Sequence, residues 1–272
     1  MALRCLIAAS ALFTAGLAAQ PNATSWQILN EGLKSAKPQT RSLAIAAIGS
    51  VGLVPEAVKL VESGLPDKEA DVRQVAAAQL GLMKSKQSIP ALQAALDDPS
   101  NAVAFAAAQS LWALGDRTSR TVLQAIFVGE RKSGAGFVEG TMHDANKTMH
   151  DPKKLAKIGA KEVSGALLGP FSLGLTAAEE MLKDGGAPAR TAAATLLAQD
   201  CDAHSRELLE SSLERDKNWA VKAAIARALG GCGSKDSIPW LERYLSDNHD
   251  ALRLMAAAAI VRLDPLAAPS PQ

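Results

Sequence analysis

Hydrophobic positions recur along the chain with two periods, one of a helical turn and one of about 31 residues. An alanine-rich phrase of ten residues begins at positions 40, 72, 103, 160, 189, 221 and 252. Within each copy the apolar residues are three or four positions apart, as on one face of an α-helix. We name this predicted helix A. Self-similarity at such a period is typical of helical repeat proteins.

A second apolar set precedes each following phrase and predicts a helix B. In the first copy it consists of Val58, Val61 and Leu65. Proline lies in the first turn of several B helices, where its missing N–H is not needed, at Pro55, Pro90 and Pro239. Glycine follows several A phrases and is expected to end helix A with a positive φ, at Gly49, Gly81, Gly169 and Gly230.

The same register extends to both ends of the chain. Trp26, Leu29 and Leu33 stand where a B helix is expected, and the last A helix ends near Leu263. The prediction is an all-α solenoid of stacked antiparallel helix pairs over residues 22–264, with about six A–B pairs and a half-repeat capping each end. One pair cannot bury both its faces, so neighbouring pairs must share a continuous core. Residues 265–272 are expected to form a disordered tail.

Composition supports helices and argues against polyanion binding. Only 4% of the 272 residues are aromatic, whereas 48% are hydrophobic, and alanine dominates the repeated phrases. The formal net charge is +1, which gives no long-range attraction for nucleic acid or an anionic membrane. Nucleic acid is therefore not an expected partner.

The first 19 residues are expected to be a cleaved export signal. A basic start, "MALR", is followed by the apolar stretch "CLIAASALFTAGL" and by small residues before Gln20. An N-terminal membrane anchor is the alternative, but thirteen apolar residues are too few to cross a core of roughly 30 Å. The mature chain is expected in the periplasm or outside the cell, without membrane association.

Residues 129–154 are an insertion that interrupts the repeat. They contain TMHD twice, and on a helix His143 and His150 would share a face beside Asp144 and Asp151. Two histidines and two carboxylates are a conceivable metal site. The surrounding glycines, Asn146 and Pro152 favour turns, so a solvated loop is the preferred interpretation, and no cofactor is predicted.

The repeated phrase resembles the HEAT repeat family, in the short variant also seen in phycobilin lyases. An Asp stands six residues before a basic residue, as in that family's Asp-to-Arg ladder, in Asp67 and Arg73, Asp184 and Arg190, Asp216 and Lys222, and Asp247 and Arg253. The ladder is interrupted beside the insertion, where the basic position holds Ala104 in one copy and the acidic position holds Leu155 in the next. The resemblance implies a right-handed superhelix whose B helices line a concave surface that holds other proteins.

The resemblance carries no catalytic site over to this chain. Deoxyhypusine hydroxylases of the wider family hold iron with His-Glu dipeptides, whereas the four histidines here precede Asp144, Asp151, Ser205 and Asp250. A lyase would need a bilin inside the cell, against the export signal. The expected function is a non-catalytic scaffold for a protein or peptide partner, and the alternative is a metal-dependent or lyase-like enzyme.

Two further sets of residues are candidates for specific roles. Cys201 and Cys232 lie at nearly equivalent A–B turns, so they are either a disulfide between neighbouring repeats or two buried thiols. Charged positions on the B helices are either a partner-binding surface or a solvated face, namely Glu207, Glu210, Glu214, Glu242 and Arg243.

Overall fold

Antiparallel helix pairs build the parts of the chain that the computed structural model describes, residues 21–127, 183–200 and 202–264. The A helices are α2 (Pro38–Val51), α4 (Ala70–Leu82), α6 (Asn101–Ala113), α8 (Ala187–Asp200), α10 (Trp219–Cys232) and α12 (Asp250–Leu263). The B helices are α1 (Pro21–Leu33), α3 (Pro55–Glu62), α5 (Ile89–Ala94), α7 (Arg120–Phe127), α9 (Ala203–Arg215) and α11 (Ile238–Glu242). The predicted all-α solenoid is confirmed. The fourth phrase, at 160–169, and the insertion lie outside the described residues.

The helix pairs follow a different order in space than along the chain. The last helix, α12, packs against α10 on one side and against α2 on the other. The A layer therefore runs α8, α10, α12, α2, α4, α6. The first helix, α1, packs on both α12 and α2, which is the place of a B helix. The two half-repeats, which were expected to cap the stack, instead combine into one complete repeat in its middle.

We name the junction where α12 and α1 meet α2 the seam. Hydrogen bonds join the two ends of the chain there. The side-chain amide of Asn22 donates to the backbone carbonyl of Asp264. The hydroxyl of Thr40, in α2, donates to the carboxylate of Asp250, in α12, at 2.7 Å. The N-terminal and C-terminal parts of the chain are therefore one continuous stack.

The glycines of the A phrases provide close packing and not helix ends. Gly49, Gly81 and Gly230 all lie inside helices, so the expectation of a positive φ at these three positions is wrong. A Cβ added at Gly230 would lie 2.9 Å from the Cα of Ala259 in α12, and one added at Gly81 would lie 2.9 Å from the Cα of Ser110 in α6. Each glycine thus lets two A helices approach closely.

An Asp-to-Arg ladder ties successive repeats together, with a different pairing from the one expected. Each of three arginines on an A helix donates to the Asp of the following inter-repeat turn, in Arg41 with Asp67, Arg73 with Asp98, and Arg190 with Asp216. Asp67 and Arg73 were expected to pair through their side chains. Instead, the Arg73 guanidinium donates to the backbone carbonyl oxygen of Asp67 at 2.9 Å. Among the expected pairs, the side chains of Arg190 and Asp184 do make contact, at 2.5 Å.

The ladder is replaced by other contacts where an Arg or an Asp is missing. Lys222 donates to the hydroxyl of Tyr244 at 3.2 Å. Ser35 stands at the seam where other turns carry Asp, and Arg253 pairs with Asp250 of its own helix. At the junction of α12 with α2, apolar packing and the hydrogen bond from Thr40 to the Asp250 carboxylate therefore take the place of an Arg–Asp bridge between repeats.

Acid is expected to weaken the fold through this ladder. Hydrogen bonds from Arg41 hold the pKa of the Asp67 carboxyl below its usual value, against the opposing effect of burial. A carboxyl with a depressed folded-state pKa contributes stability above its unfolded-state pKa of about 3.9, and this contribution is lost as the pH falls through the folded-state pKa. Urea denaturation at several pH values should show a loss of stability below about pH 4.

Replacing Arg41 tests this assignment. Arg41→Gln should lower the free energy of unfolding at neutral pH by about 1–2 kcal/mol and should reduce its further loss below about pH 4. Arg243→Gln is the control, because the ion pair of Arg243 with Glu214 is exposed and should contribute less than about 1 kcal/mol. An acid response that Arg41→Gln leaves unchanged would contradict the role of Asp67.

A buried amide offers a position for stabilisation. Neither polar atom of the Gln79 side chain has a hydrogen-bond partner within the described part of the chain, and the side chain is fully buried against Gly49. Such an unsatisfied group costs about 1–3 kcal/mol. Gln79→Met, which keeps the volume, should raise the free energy of unfolding by about 1 kcal/mol in urea denaturation. The exposed Gln109→Met should change little; equal effects at both positions would disprove the explanation.

Candidate functional site

The two layers of the stack are spaced differently. Neighbouring A helices pack along their length, and α10 even reaches α2 across α12. Within the described residues, neighbouring B helices make few contacts, the closest being α9 with α11. A stack bends toward the layer that is more closely spaced. This spacing places the concave side on the A layer and not on the B layer expected from the sequence.

The concave side of the A layer, which we name the inner face, is small and nearly uncharged. Its side chains point away from the B layer and recur every three or four residues along each A helix. They are Leu43, Ala46 and Ser50 in α2; Val75, Ala78 and Leu82 in α4; Ala106, Gln109 and Ala113 in α6; Ala192, Thr195 and Gln199 in α8; Ala224, Arg227 and Gly231 in α10; and Met255, Ala258 and Arg262 in α12. Two of these eighteen positions carry a charge, and both are arginines.

Arg227 and Arg262 lie on adjacent helices in the middle of the stack. Burial, and then the positive charge of Arg262, hold the pKa of Arg227 below its usual value. Arg262 crosses the seam and donates to the backbone carbonyl of Ser50 at 2.9 Å. Two guanidinium groups therefore come near each other on the inner face.

The predicted partner-binding residues lie on the outer B layer, and three of them contact residues of a neighbouring repeat. Glu210 accepts a hydrogen bond from Ser237 at 2.5 Å, and Glu214 pairs with Arg243 at 3.1 Å. Arg243 also lies over the ring of Trp240, 5.0 Å from its centroid. These contacts link α9 to the next repeat. Whether Glu210, Glu214 and Arg243 also bind a partner stays a prediction.

The remaining two of these residues are also on B helices. Glu207 is exposed on α9, and Glu242 is partly exposed at the end of α11. Whether they serve a partner stays a prediction.

The candidate metal ligands His143, Asp144, His150 and Asp151 lie outside the described residues, as does Cys201. Within residues 21–127, 183–200 and 202–264, histidine, cysteine and carboxylate side chains form no group of three suited to a metal ion. Cys232 is buried in α10, and the disulfide stays a prediction. In the same ranges, all helices are too short or too polar to span a bilayer.

Sequence reasoning missed the arginine pair because it assigned the concave surface to the B helices. A signal was available in the repeat alignment. The position that holds Arg227 carries Ala46, Ala78, Gln109 or Thr195 in other copies, and arginine is an exception there. Its significance depends on which layer faces inward, which the period of the repeat does not determine.

Two solved structures are distantly similar to this chain. The human deoxyhypusine hydroxylase structure in complex with glycerol is 19% identical, with 89% of this chain and 97% of that chain covered and a TM-score of 0.35. An engineered protein is 16% identical, with coverage of 89% and 96% and a TM-score of 0.27. Likenesses this weak carry no argument about fold or activity. No curated protein matches the chain.

The profile of HEAT repeats matches residues 59–133 and 175–266, which together make up more than half of the chain. These ranges include α4 to α7 and α8 to α12, so they cover both sides of the insertion. The sequence match and the stacked helix pairs agree in type and in position. The chain belongs to the HEAT repeat family.

Proposed function

We propose that this protein is an exported, non-catalytic HEAT repeat scaffold that binds a protein or peptide partner on its inner face. The observation that carries the proposal is the composition of that face, where positions that are at least partly exposed, such as Ala78, Gln109 and Thr195, carry small or neutral side chains. An extended peptide can lie against such a surface without burying unpaired carboxylates of the scaffold. The outer B layer instead uses several of its charges in contacts between repeats.

Two substitutions in one repeat distinguish the inner face from the outer layer. Ala78 lies on the inner face of α4, and Ala94 is exposed on the B helix α5. Ala78→Arg should abolish capture of partners from an extracytoplasmic extract, whereas Ala94→Arg should leave it intact, with circular dichroism confirming that both variants fold. Loss of capture in Ala94→Arg alone would assign binding to the outer layer, and no loss in either variant would overturn the proposal.

Export and the insertion are separate parts of the proposal. Removal of residues 1–19 should retain the protein in the cytoplasm, as cell fractionation would show; unchanged export would disprove the signal. We also propose that residues 129–154 modulate access to the scaffold. Deletion of 129–154 should change the set of captured partners, and identical recoveries would exclude that role.

An enzyme is the second candidate, because TMHD occurs twice in the insertion. Elemental analysis of the purified protein tests it directly. Stoichiometric iron or zinc that is lost when His143 and His150 are both changed to Ala would overturn the non-catalytic scaffold. If the protein, purified without chelators, contained neither iron nor zinc, this result would support the scaffold.

A further inference from the structure

We propose that the end of the stack formed by α8 and α9, which we name the α8–α9 end, is a docking surface for residues 160–182 of the same chain. These residues contain the fourth repeated phrase and the apolar set that follows it, Leu175, Ala178 and Leu182. This docking goes beyond the proposed function, because it does not depend on what binds the inner face.

One side of α8 is exposed although the corresponding side of the other A helices is buried. Ala189, Ala193 and Leu196 lie on this side, since they are spaced by four and three residues along the helix. Leu196 is 64% exposed. The positions at the same register are buried in each of the other A helices that the structure describes, for example Val72 and Gln79 in α4. The exposed side of α8 therefore has the character of an A-helix contact surface.

This side of an A helix receives the glycine of the preceding repeat. A Cβ added at Gly49 would lie against the Gln79 side chain of α4, and the glycines of α4 and α10 face the same register of the next A helix. Leu196 occupies that register in α8, and the fourth phrase ends in Gly169. A helix formed by the fourth phrase would therefore place a glycine opposite Leu196 and allow the two backbones to approach closely.

Leu208 extends the same surface into the B layer. It lies in α9 and is 42% exposed. Glu210, two residues later, accepts a hydrogen bond from Ser237 of the following repeat, and two residues turn an α-helix by about 200°. Leu208 therefore points toward the side on which a preceding B helix would lie. The α8–α9 end presents apolar side chains in both layers, which is the surface that a helix pair covers in a repeat stack.

The charge at the α8–α9 end also complements the segment. In the ladder, an Asp accepts from the basic residue of the A helix before it, as Asp67 does from Arg41. The corresponding residue for Asp184 is Lys161, in the fourth phrase. Asp184 pairs with Arg190 of its own helix, and its side chain is 41% exposed, so one side of the carboxylate is accessible to Lys161.

The opposite end of the stack, at α6, holds different residues at both registers. Trp112 stands where the other A phrases carry glycine, and Ala104 stands where they carry the ladder cation. Trp112 is 43% exposed and stacked against Arg117, so its ring would hold a further A helix away.

The length of the chain on each side of the fourth phrase agrees with this choice of end. The path along the stack from beyond α6 back to α8 crosses six helix spacings, roughly 50–60 Å. Residues 170–182 reach only about 45 Å when fully extended, whereas residues 128–159 reach about 105 Å. The longer of the two connections can therefore make the crossing, which leaves the fourth phrase beside α8.

Hydrogen exchange of the purified full-length protein, measured on peptides by mass spectrometry, tests the docking. The backbone amides of residues 160–169 should exchange at least about tenfold more slowly than in a synthetic peptide of the same sequence. Leu196→Asp, which would place a charge under the segment, should remove this protection at least about tenfold while leaving α2 and α4 unchanged. Thr195→Asp is the matched control and should change little, because Thr195 is exposed on the inner face of α8.

Other occupants of the α8–α9 end give different results. Loss of protection in Trp112→Ala, with none in Leu196→Asp, would assign the segment to α6 and overturn the docking. Protection that rises with protein concentration, together with a dimer in sedimentation, would assign the surface to a second copy and would also overturn it. Unprotected amides at 160–169 in the unaltered chain, or equal losses in Thr195→Asp and Leu196→Asp, would exclude the segment as the occupant.

Discussion

Gly230→Leu is expected to lower the free energy of unfolding by about 3 kcal/mol, at the upper end of the range for overpacked interiors. Gly230 faces α12, and an added Cβ would lie 2.9 Å from the Cα and 3.0 Å from the Cβ of Ala259. The obstacle is backbone, which cannot rotate away as a side chain can. The variant can fold only if α10 and α12 move apart, and this loosens packing along both helices.

Gly231 provides a matched control on the next residue of the same helix. Among the described residues, a Cβ added there meets no atom within 4 Å, and the φ of Gly231 is not positive, so a side chain fits the backbone. Gly231→Leu should be neutral or stabilising by up to about 1 kcal/mol, because leucine favours a helix more than glycine does. Urea denaturation of both variants decides the matter. Similar losses at 230 and 231 would show that helix propensity, and not inter-helix distance, explains the effect.

The sequence predicted the elements of this fold well because each repeat contains its own pattern. Helix A, helix B and the prolines that begin the B helices follow from local spacing. Pro55 and Pro239 indeed lie in the first turns of α3 and α11. Local patterns of this kind depend only on a few residues along the chain, so no knowledge of distant contacts was required.

The order of the repeats could not be predicted in the same way. Every A helix offers a similar alanine-rich side to its neighbours, so the period is the same whether α12 ends the stack or lies next to α2. The choice is made by particular contacts such as Thr40 with Asp250. In the same way, the spacing of Asp67 and Arg73 suggested a pair within one repeat, while the long arginine side chain reaches Asp98 in the next turn.

The inner face, which we propose for partner binding, was not predicted from the sequence. Charged residues on the B helices were visible as a run along the chain, but Glu214 and Arg243 come from two different repeats and meet in space. Conversely, Arg227 and Arg262 are 35 positions apart, Arg227 within one repeated phrase and Arg262 directly after the last one. Only the packing of α10 beside α12 brings them onto one face. A surface assembled across repeats is not encoded in any single copy.

Trp26→Ala is expected to lower the free energy of unfolding by about 3–5 kcal/mol, whereas Trp112→Ala should cost less than about 1 kcal/mol. Trp26 lies in α1, near the start of the described chain, and is 2% exposed. Trp112 lies in α6, far from either end of the chain, and is 43% exposed with its ring stacked against Arg117. If the repeats were stacked in chain order, α1 would be a terminal cap and α6 an interior helix, and the expectation would be reversed.

A circular permutant tests the same seam without removing any side chain. A linker joining Asp264 to Pro21, with new termini opened inside residues 129–154, makes the order of repeats along the chain equal to their order in space. Because the Asn22 side chain already contacts Asp264, a short linker suffices, and the permutant should unfold cooperatively with stability close to that of the parent chain. Circular dichroism during urea denaturation measures both proteins. A permutant that fails to fold, together with a tolerated Trp26→Ala, would mean that α1 and α12 do not form one repeat, because only their direct packing makes the joined ends compatible with an intact core.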